Sequence, residues 1–313
     1  MEITPQMVKE LREKTGAGMM DCKKALAQTG SMEKAIEYLR EKGLSAAAKK
    51  ADRVASQGLV DVVASDGQAT MVEVNCETDF VAKNADFIAL TRNLLVQASK
   101  SPKHFAKNIV VDGSVFENDP WMANPSLTVQ GAINEKVATI GEKLSFRRAA
   151  HFSGGSTYGS YIHAGGSIGV MVELKVQDAS KANTDTLKTL ARDLAMHVAA
   201  ANPTWVTRSE VTPDFIASER AIFDKQVAEM GKPAPVAAKI VDGKIEKRYS
   251  EVCLVEQPYV KDPNLTVSKR IEMAAKEAST TVAVTRFVRF KVGEGVEKKQ
   301  DDFAAEVARM AGA

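Results

Sequence analysis

Eleven residues, Val74-Asn75-Cys76-Glu77-Thr78-Asp79-Phe80-Val81-Ala82-Lys83-Asn84, set an acid beside a large aromatic where a strand pattern gives way to a helical one. The alternating run Met71, Val72, Glu73, Val74 leads into it. Taken alone, Asp79 reads as a helix cap, because a carboxylate there satisfies free N–H groups and opposes the helix dipole. Phe80 taken alone reads as a core anchor. Signals for covalent catalysis are poor elsewhere. His104, His151, His163 and His197 lack metal spacing such as HExxH, and there is no GxSxG elbow. Gly154-Gly155-Ser156-Thr157-Tyr158-Gly159 lacks the lysine and following helix of a P-loop, and Gly16-Ala17-Gly18 ends a helix where a dinucleotide fingerprint would follow a strand. Cys22, Cys76 and Cys253 are too far apart for a CxxC metal pair and odd in number, which excludes a disulfide framework. No metal site and no cofactor is expected.

The chain that must position this stretch has 313 residues, room for more than one domain. Its 42 basic and 40 acidic residues leave a net charge of +2, against the strong basic excess of a nucleic-acid footprint. No apolar run reaches the roughly 18 residues of a membrane span. The first residues, Met1-Glu2-Ile3-Thr4-Pro5, lack the basic and apolar regions of a secretory signal. A cytoplasmic protein without membrane or direct nucleic-acid partners is the expectation.

Three short helices are predicted over residues 1 to about 42. Thr4-Pro5 opens the first and Gly16-Ala17-Gly18 stops it; Gly30 ends the second; the third runs from Ser31 to just before Gly43. Residues 44–56 read as a helical connector. Strands at 59–64 and 68–74 flank an Asp66-Gly67 hairpin turn. Phe87, Leu90, Leu94, Leu95 and Ala98 then mark a helix face. Residues 101–134, with Pro102, Pro120 and Pro125, read as loops and short elements. From Lys143 the strand pattern returns, and 158–163 with 168–176 forms a second hairpin before a helix that closes near Asn202-Pro203. Both halves thus share a rhythm of strand, strand, long helix. Residues 206–254 break it with an αα-hairpin interrupted at Gly231-Lys232-Pro233. A helix at 266–278, a strand at 281–292 and a terminal amphipathic helix from Asp301 to Met310 complete the pattern.

Two bland readings stand beside functional ones. Met19-Met20 is either core or an adaptable apolar patch for a partner helix, and His163, beside Tyr161, is most simply a structural side chain. An RNA-binding module using Lys49, Lys50, Arg53 and Arg147-Arg148 competes with a solvated charged face, which the near-zero net charge favours. A small-molecule enzyme would need an acid–base constellation that is not found.

The Val74–Asn84 stretch and the run Thr15-Gly16-Ala17-Gly18-Met19-Met20-Asp21-Cys22-Lys23-Lys24-Ala25-Leu26 closely resemble bacterial translation elongation factor Ts. Arg147-Arg148, Gly159-Ser160-Tyr161-Ile162-His163, Met196-His197-Val198-Ala199-Ala200 and Arg289-Phe290-Lys291-Val292-Gly293-Glu294-Gly295 extend the resemblance in family order, with 101–134 divergent. The resemblance implies an α+β fold. Its parts would be a three-helix ubiquitin-associated-like domain and connector (1–54), a first core subdomain (55–153), a second in two pieces (154–205 and 255–296), an inserted helical hairpin for dimerisation (206–254) and a C-terminal module (297–313). It further implies a guanine-nucleotide exchange factor for elongation factor Tu, without covalent chemistry. Arg12, Met19 and Met20 match positions that contact the partner's nucleotide-binding domain, and His163 matches a further contact. Thr78, Asp79, Phe80 and Val81 match the element that intrudes near the partner's magnesium and phosphate site and dislodges the metal.

Overall fold

The computed structural model describes residues 3–15, 17–65, 67–154 and 157–296. The helix expected over Asp301–Met310 therefore lies outside the described residues.

Three helices, α1 (Pro5–Thr15), α2 (Met19–Thr29) and α3 (Met32–Ala48), bury Leu11, Cys22, Ala25 and Ala35 in a small core. The caps are those the residue types dictate: the Thr4 hydroxyl accepts from Met7 N and the Ser31 hydroxyl from Lys34 N. The expected stop before Gly43 does not occur, and α3 continues to Ala48. The strong helix formers after it offset the roughly 1 kcal/mol cost of a mid-helix glycine. Gly43 also lets α3 approach a later helix, since a Cβ there would already touch Asn134 O at 3.5 Å and the Ala138 methyl at 3.6 Å.

The rest is four layers, helices on sheet on sheet on helices. Strands β1 (Gln57–Ser65) and β2 (Gln68–Cys76) lead through a one-turn helix, α4 (Asp79–Ala82), to α5 (Ala85–Ser99). A short edge strand β3 (Val110–Asp112), helix α6 (Val129–Ile140) and β4 (Ser145–Ser153) finish the first half, with strand order β1-β2-β4-β3. Helix α6, begun inside the region expected to be loops, starts where the Thr128 hydroxyl accepts from Gly131 N. The second half runs β5 (Thr157–His163), β6 (Ile168–Val176), α7 (Asp185–Ala201), the hairpin α8 (Pro213–Ala228) and α9 (Ala234–Val252), a small ladder β7 (Pro258–Tyr259) with β8 (Asp262–Thr266), α10 (Val267–Glu277) and β9 (Val282–Lys291). Its main sheet has the order β5-β6-β9. With the hairpin and ladder of the second half and the short α4 and β3 of the first set aside, both halves read strand, strand, helix, helix, strand.

Each sheet buries both faces. Val72, Val74 and Cys76 of β2 pack under α5 and α6, while Met71 points at the other sheet with Phe152, Met171 and Phe290. Val170, Val172 and Leu174 of β6 pack under α7 and α10. Gly169 permits the sheets to close, because a Cβ there would sit 2.3 Å from the Val60 side chain. β2 is buried on both faces even at its polar positions Thr70, Glu73 and Asn75.

The halves also share a buried ion pair. Glu73 of β2 pairs across the ladder with Arg148, and Glu173 of β6 with Arg286; in each ladder the register slips immediately after the glutamate. Such a bulge re-aims a side chain. Glu73 receives Arg147 at 2.7 Å, Arg148 at 2.6 Å and Gly293 N at 2.9 Å, which ties the first sheet to the loop after β9.

Helix α7 is locked to the base of the hairpin by His197. Its Nδ1 accepts from Val260 N at 3.2 Å, so Nε2–H donates to Gln257 Oε1 at 2.8 Å. Tyr259 stacks near it, and Asp193, which faces the same segment, is occupied by Tyr259 OH and Lys261. Burial holds the His197 pKa below the usual histidine value, against the raising effect of Gln257. His151, buried under Phe105, is lowered for the same reason and by Arg286. With folded pKa values below about 6.5, the unfolded chain binds more protons in the window just beneath it, so this stability is full above pH 6.5 and is lost as pH falls. The expected slope is up to about 1.4 kcal/mol per pH unit for each histidine. Urea unfolding at pH 7.5 and 5.5 should show a smaller acid loss in His197→Gln than in the wild type; equal losses would remove His197 as a source.

Candidate functional site

The Thr78–Val81 turn is built by the end of β2 and by one distant residue. Beyond Cys76 the chain leaves the ladder with Gln57, so the next backbone N–H groups need other acceptors. Glu142, just after the α6 C-cap Gly141, supplies them: its Oε2 accepts from Glu77 N and Thr78 N at 3.0 Å each. The Thr78 hydroxyl donates to Glu142 Oε1 at 2.6 Å and accepts from Val81 N at 3.3 Å. Thr78, not Asp79, is thus the N-cap, and Asp79 is the first helical residue. The arrangement is reciprocal, since Glu77 Oε1 accepts from Lys143 N at 2.6 Å. Asn84 then caps α5 by accepting from Asp86 N at 2.8 Å. Glu142 and Lys143 carry no sequence signal for this task, because their partners lie more than 60 residues away.

The turn is fixed at both ends and bare at its tip. Phe80 is 81% exposed, so it is not the core anchor that its residue type suggests. Val81 is half-buried against the first core. Asp79 stands in water in an i,i+4 pair with Lys83 at 2.8 Å, and that hydrogen bond holds its carboxyl below the usual range. Beneath the turn, Cys76 Sγ donates to Thr78 O, and burial pushes the thiol up to about 12, which makes it an inert packing group.

Beside the turn a groove of about 840 Å³ is lined by Asp79 and Lys83 on one wall and by Ile162, Ala164 and Gly165 on the other. His163 sits at the end of β5, exposed, its Nδ1 3.3 Å from Tyr161 OH. The turn after it runs through positive φ at Ala164 (47°), Gly165 (65°) and Gly166 (102°), a conformation that non-glycine residues rarely adopt. Gly166 packs on β1, so the β5–β6 turn and the Phe80 turn border the same edge of the molecule.

Arg12, Met19 and Met20 sit apart from this groove, on the N-terminal helices. All three are exposed, the methionines at 51% and 66%. The core reading of Met19-Met20 is therefore corrected: Cys22, Ala25 and Leu26 fill the inward face of α2. The phosphate-contact reading also fails for Arg147 and Arg148, which are committed to Glu73, and Arg53 lies 3.4 Å from Glu77. Among the described residues no group of His, Cys, Asp and Glu is placed to hold a metal, and no helix is long and apolar enough to cross a membrane.

A family model described as elongation factor TS matches residues 77–294. The chain belongs to the elongation factor Ts family. Proteins named elongation factor Ts from Clostridioides difficile and Syntrophotalea carbinolica are each 46% identical to it, over 311 and 316 residues. The first alignment covers 98% of both chains and the second 99%. The elongation factor Ts of Trichlorobacter lovleyi is 43% identical over 319 residues, spanning 100% of this chain and 99% of its own length. The likeness to elongation factor Ts thus includes the N-terminal helices and the Val74–Asn84 stretch.

Proposed function

We propose that this chain is a guanine-nucleotide exchange factor: it binds elongation factor Tu carrying GDP and speeds GDP release by displacing magnesium. The observation that carries the reading is an aromatic ring left 81% exposed on a turn braced at both ends, in a member of the elongation factor Ts family. A bare ring on a loose loop would lose entropy on docking, whereas a braced one is pre-organised.

Met19, Met20 and Arg12 dock the N-terminal unit on the partner's nucleotide-binding domain. Phe80, with Asp79 and Val81, then enters near the metal and phosphate, and His163, exposed at the end of β5, makes a further contact. Magnesium demands near-ideal octahedral geometry, so a small shift of its ligands weakens it strongly. The ring gains apolar burial only in the opened partner, so its binding favours that state. Linkage makes the effect mutual: the factor weakens GDP as much as GDP weakens the factor. No covalent bond changes.

The test is release of a fluorescent GDP analogue from elongation factor Tu with this chain in excess. Release should accelerate many-fold in magnesium, and the stimulation should shrink once a chelator has removed the metal. No acceleration would overturn the exchange reading; equal stimulation with and without magnesium would overturn the displacement step.

A further inference from the structure

Resting on the exchange reading above, we infer that Glu142 is the positioning residue that aims the Thr78–Val81 turn, and that through it α6 links the docking helices to the exchange element. Helix α4 has only four residues, too few to be stable on its own hydrogen bonds. What holds it is the set of three bonds to one carboxylate: Glu77 N, Thr78 N and the Thr78 hydroxyl. The last of these orients the hydroxyl so that its lone pair receives Val81 N, which makes Glu142 the origin of the cap itself. Bonds to an ionised acceptor are about twice as strong as neutral ones. Glu142 acts in this scheme by holding the turn, since both its oxygens already accept from Glu77 and Thr78.

The placement of Glu142 gives the second half of the inference. It follows the end of α6, and α6 is also the surface on which α3 rests. Gly43 of α3 lies against Asn134 and Ala138, and Arg40 reaches Glu135 at 4.0 Å. Helix α2, which carries the exposed Met19 and Met20, packs on α3 through Cys22, Ala25 and Leu26 of the small N-terminal core. One 12-residue helix therefore sets both the docking unit and, at its far end, the angle of Phe80. A bidentate grip so far along the chain cannot serve local helix formation alone; the reciprocal Glu77–Lys143 bond makes the junction resist rotation.

The experiment measures fluorescent GDP release from elongation factor Tu across a range of factor concentrations for wild type, Glu142→Ala, Glu142→Gln, Phe80→Ala and the Glu142→Ala/Phe80→Ala pair. Misplacement by about 1 Å can cost on the order of a hundredfold in rate, so Glu142→Ala should lower the maximal rate by roughly tenfold to a hundredfold. The half-saturating concentration should change little. Glu142→Gln, which sets an amide N–H₂ against the donors but preserves volume, should lose maximal rate as well and guards against a folding defect in the alanine variant. The double variant should be no slower than Phe80→Ala, because both act through one ring. Amide hydrogen exchange should show faster opening at Thr78 and Val81 in Glu142→Gln. An unchanged maximal rate, a loss confined to the half-saturating concentration, or effects that multiply in the double variant would each overturn the positioning role. If Phe80→Ala alone releases GDP normally, the exchange reading of the turn falls, while the hydrogen-exchange result still decides whether Glu142 holds it.

Discussion

Phe80→Ala is expected to remove most of the stimulation of GDP release while leaving the fold untouched. The ring is 81% exposed, so its loss opens no cavity, and an exposed substitution of this kind usually changes stability by less than about 0.5 kcal/mol. In the complex the same ring would be a desolvated aromatic anchor, the class of residue whose truncation costs about 2 kcal/mol or more. Every 1.4 kcal/mol is tenfold, so the maximal release rate should fall by roughly thirtyfold. Adding Asp79→Ala should deepen the loss by removing the group beside the ring and freeing Lys83. The contrast is with Met19→Ala and Met20→Ala, which should raise the half-saturating concentration and leave the maximal rate near wild type. The measurement is the same titration with a fluorescent GDP analogue, paired with a thermal melt. A Phe80→Ala protein that melts as wild type and still releases GDP at full rate would sink the wedge.

What the sequence disclosed and what it hid follow from the range of the interactions. The strand expected over 68–74, which runs two residues further to Cys76, and the helix face from Phe87 to Ala98 are periodic and local, and both are present. Asp79 and Thr78 are both good cap residues, and Glu142, 64 residues away from Thr78, decides for Thr78. Gly43 resembles a stop signal in isolation, yet its missing side chain serves contact with α6. Helix α6 did carry its own marks, Thr128 before it, Ile133 and Val137 at i,i+4, and Gly141 after it. Pro102, Pro120 and Pro125, with the turn-like Asp112-Gly113, point the whole region toward loop in the sequence. Residue type alone puts Phe80 and Met19-Met20 inside, because apolar side chains are inside on average, yet all three are exposed.

The same long-range logic makes Glu73→Ala the substitution with the largest expected cost in stability. Its side chain is wholly buried and serves Arg147, Arg148 and Gly293 N together, while Arg148 also stacks on Phe290 at 4.0 Å. Removing the carboxylate leaves two guanidinium groups partly desolvated without their counter-charge, a change that costs about 3–5 kcal/mol. At about 2–4 °C per kcal/mol for a domain of this order, the thermal midpoint should drop by roughly 6–20 °C. Glu173→Ala supplies the internal comparison. Arg286 is 33% exposed against 22% and 24% for the two arginines on Glu73, and among the described residues it is the one guanidinium paired with Glu173. Water can therefore reach Arg286 more readily once Glu173 is gone, and the penalty should be smaller. Glu73→Gln should fall between, since an amide still accepts from one donor but opposes the others. Calorimetry on the three variants decides the matter: Glu73→Ala must be the least stable, and a midpoint within a degree or two of wild type would show that the arginines recover their solvation when the sheets shift.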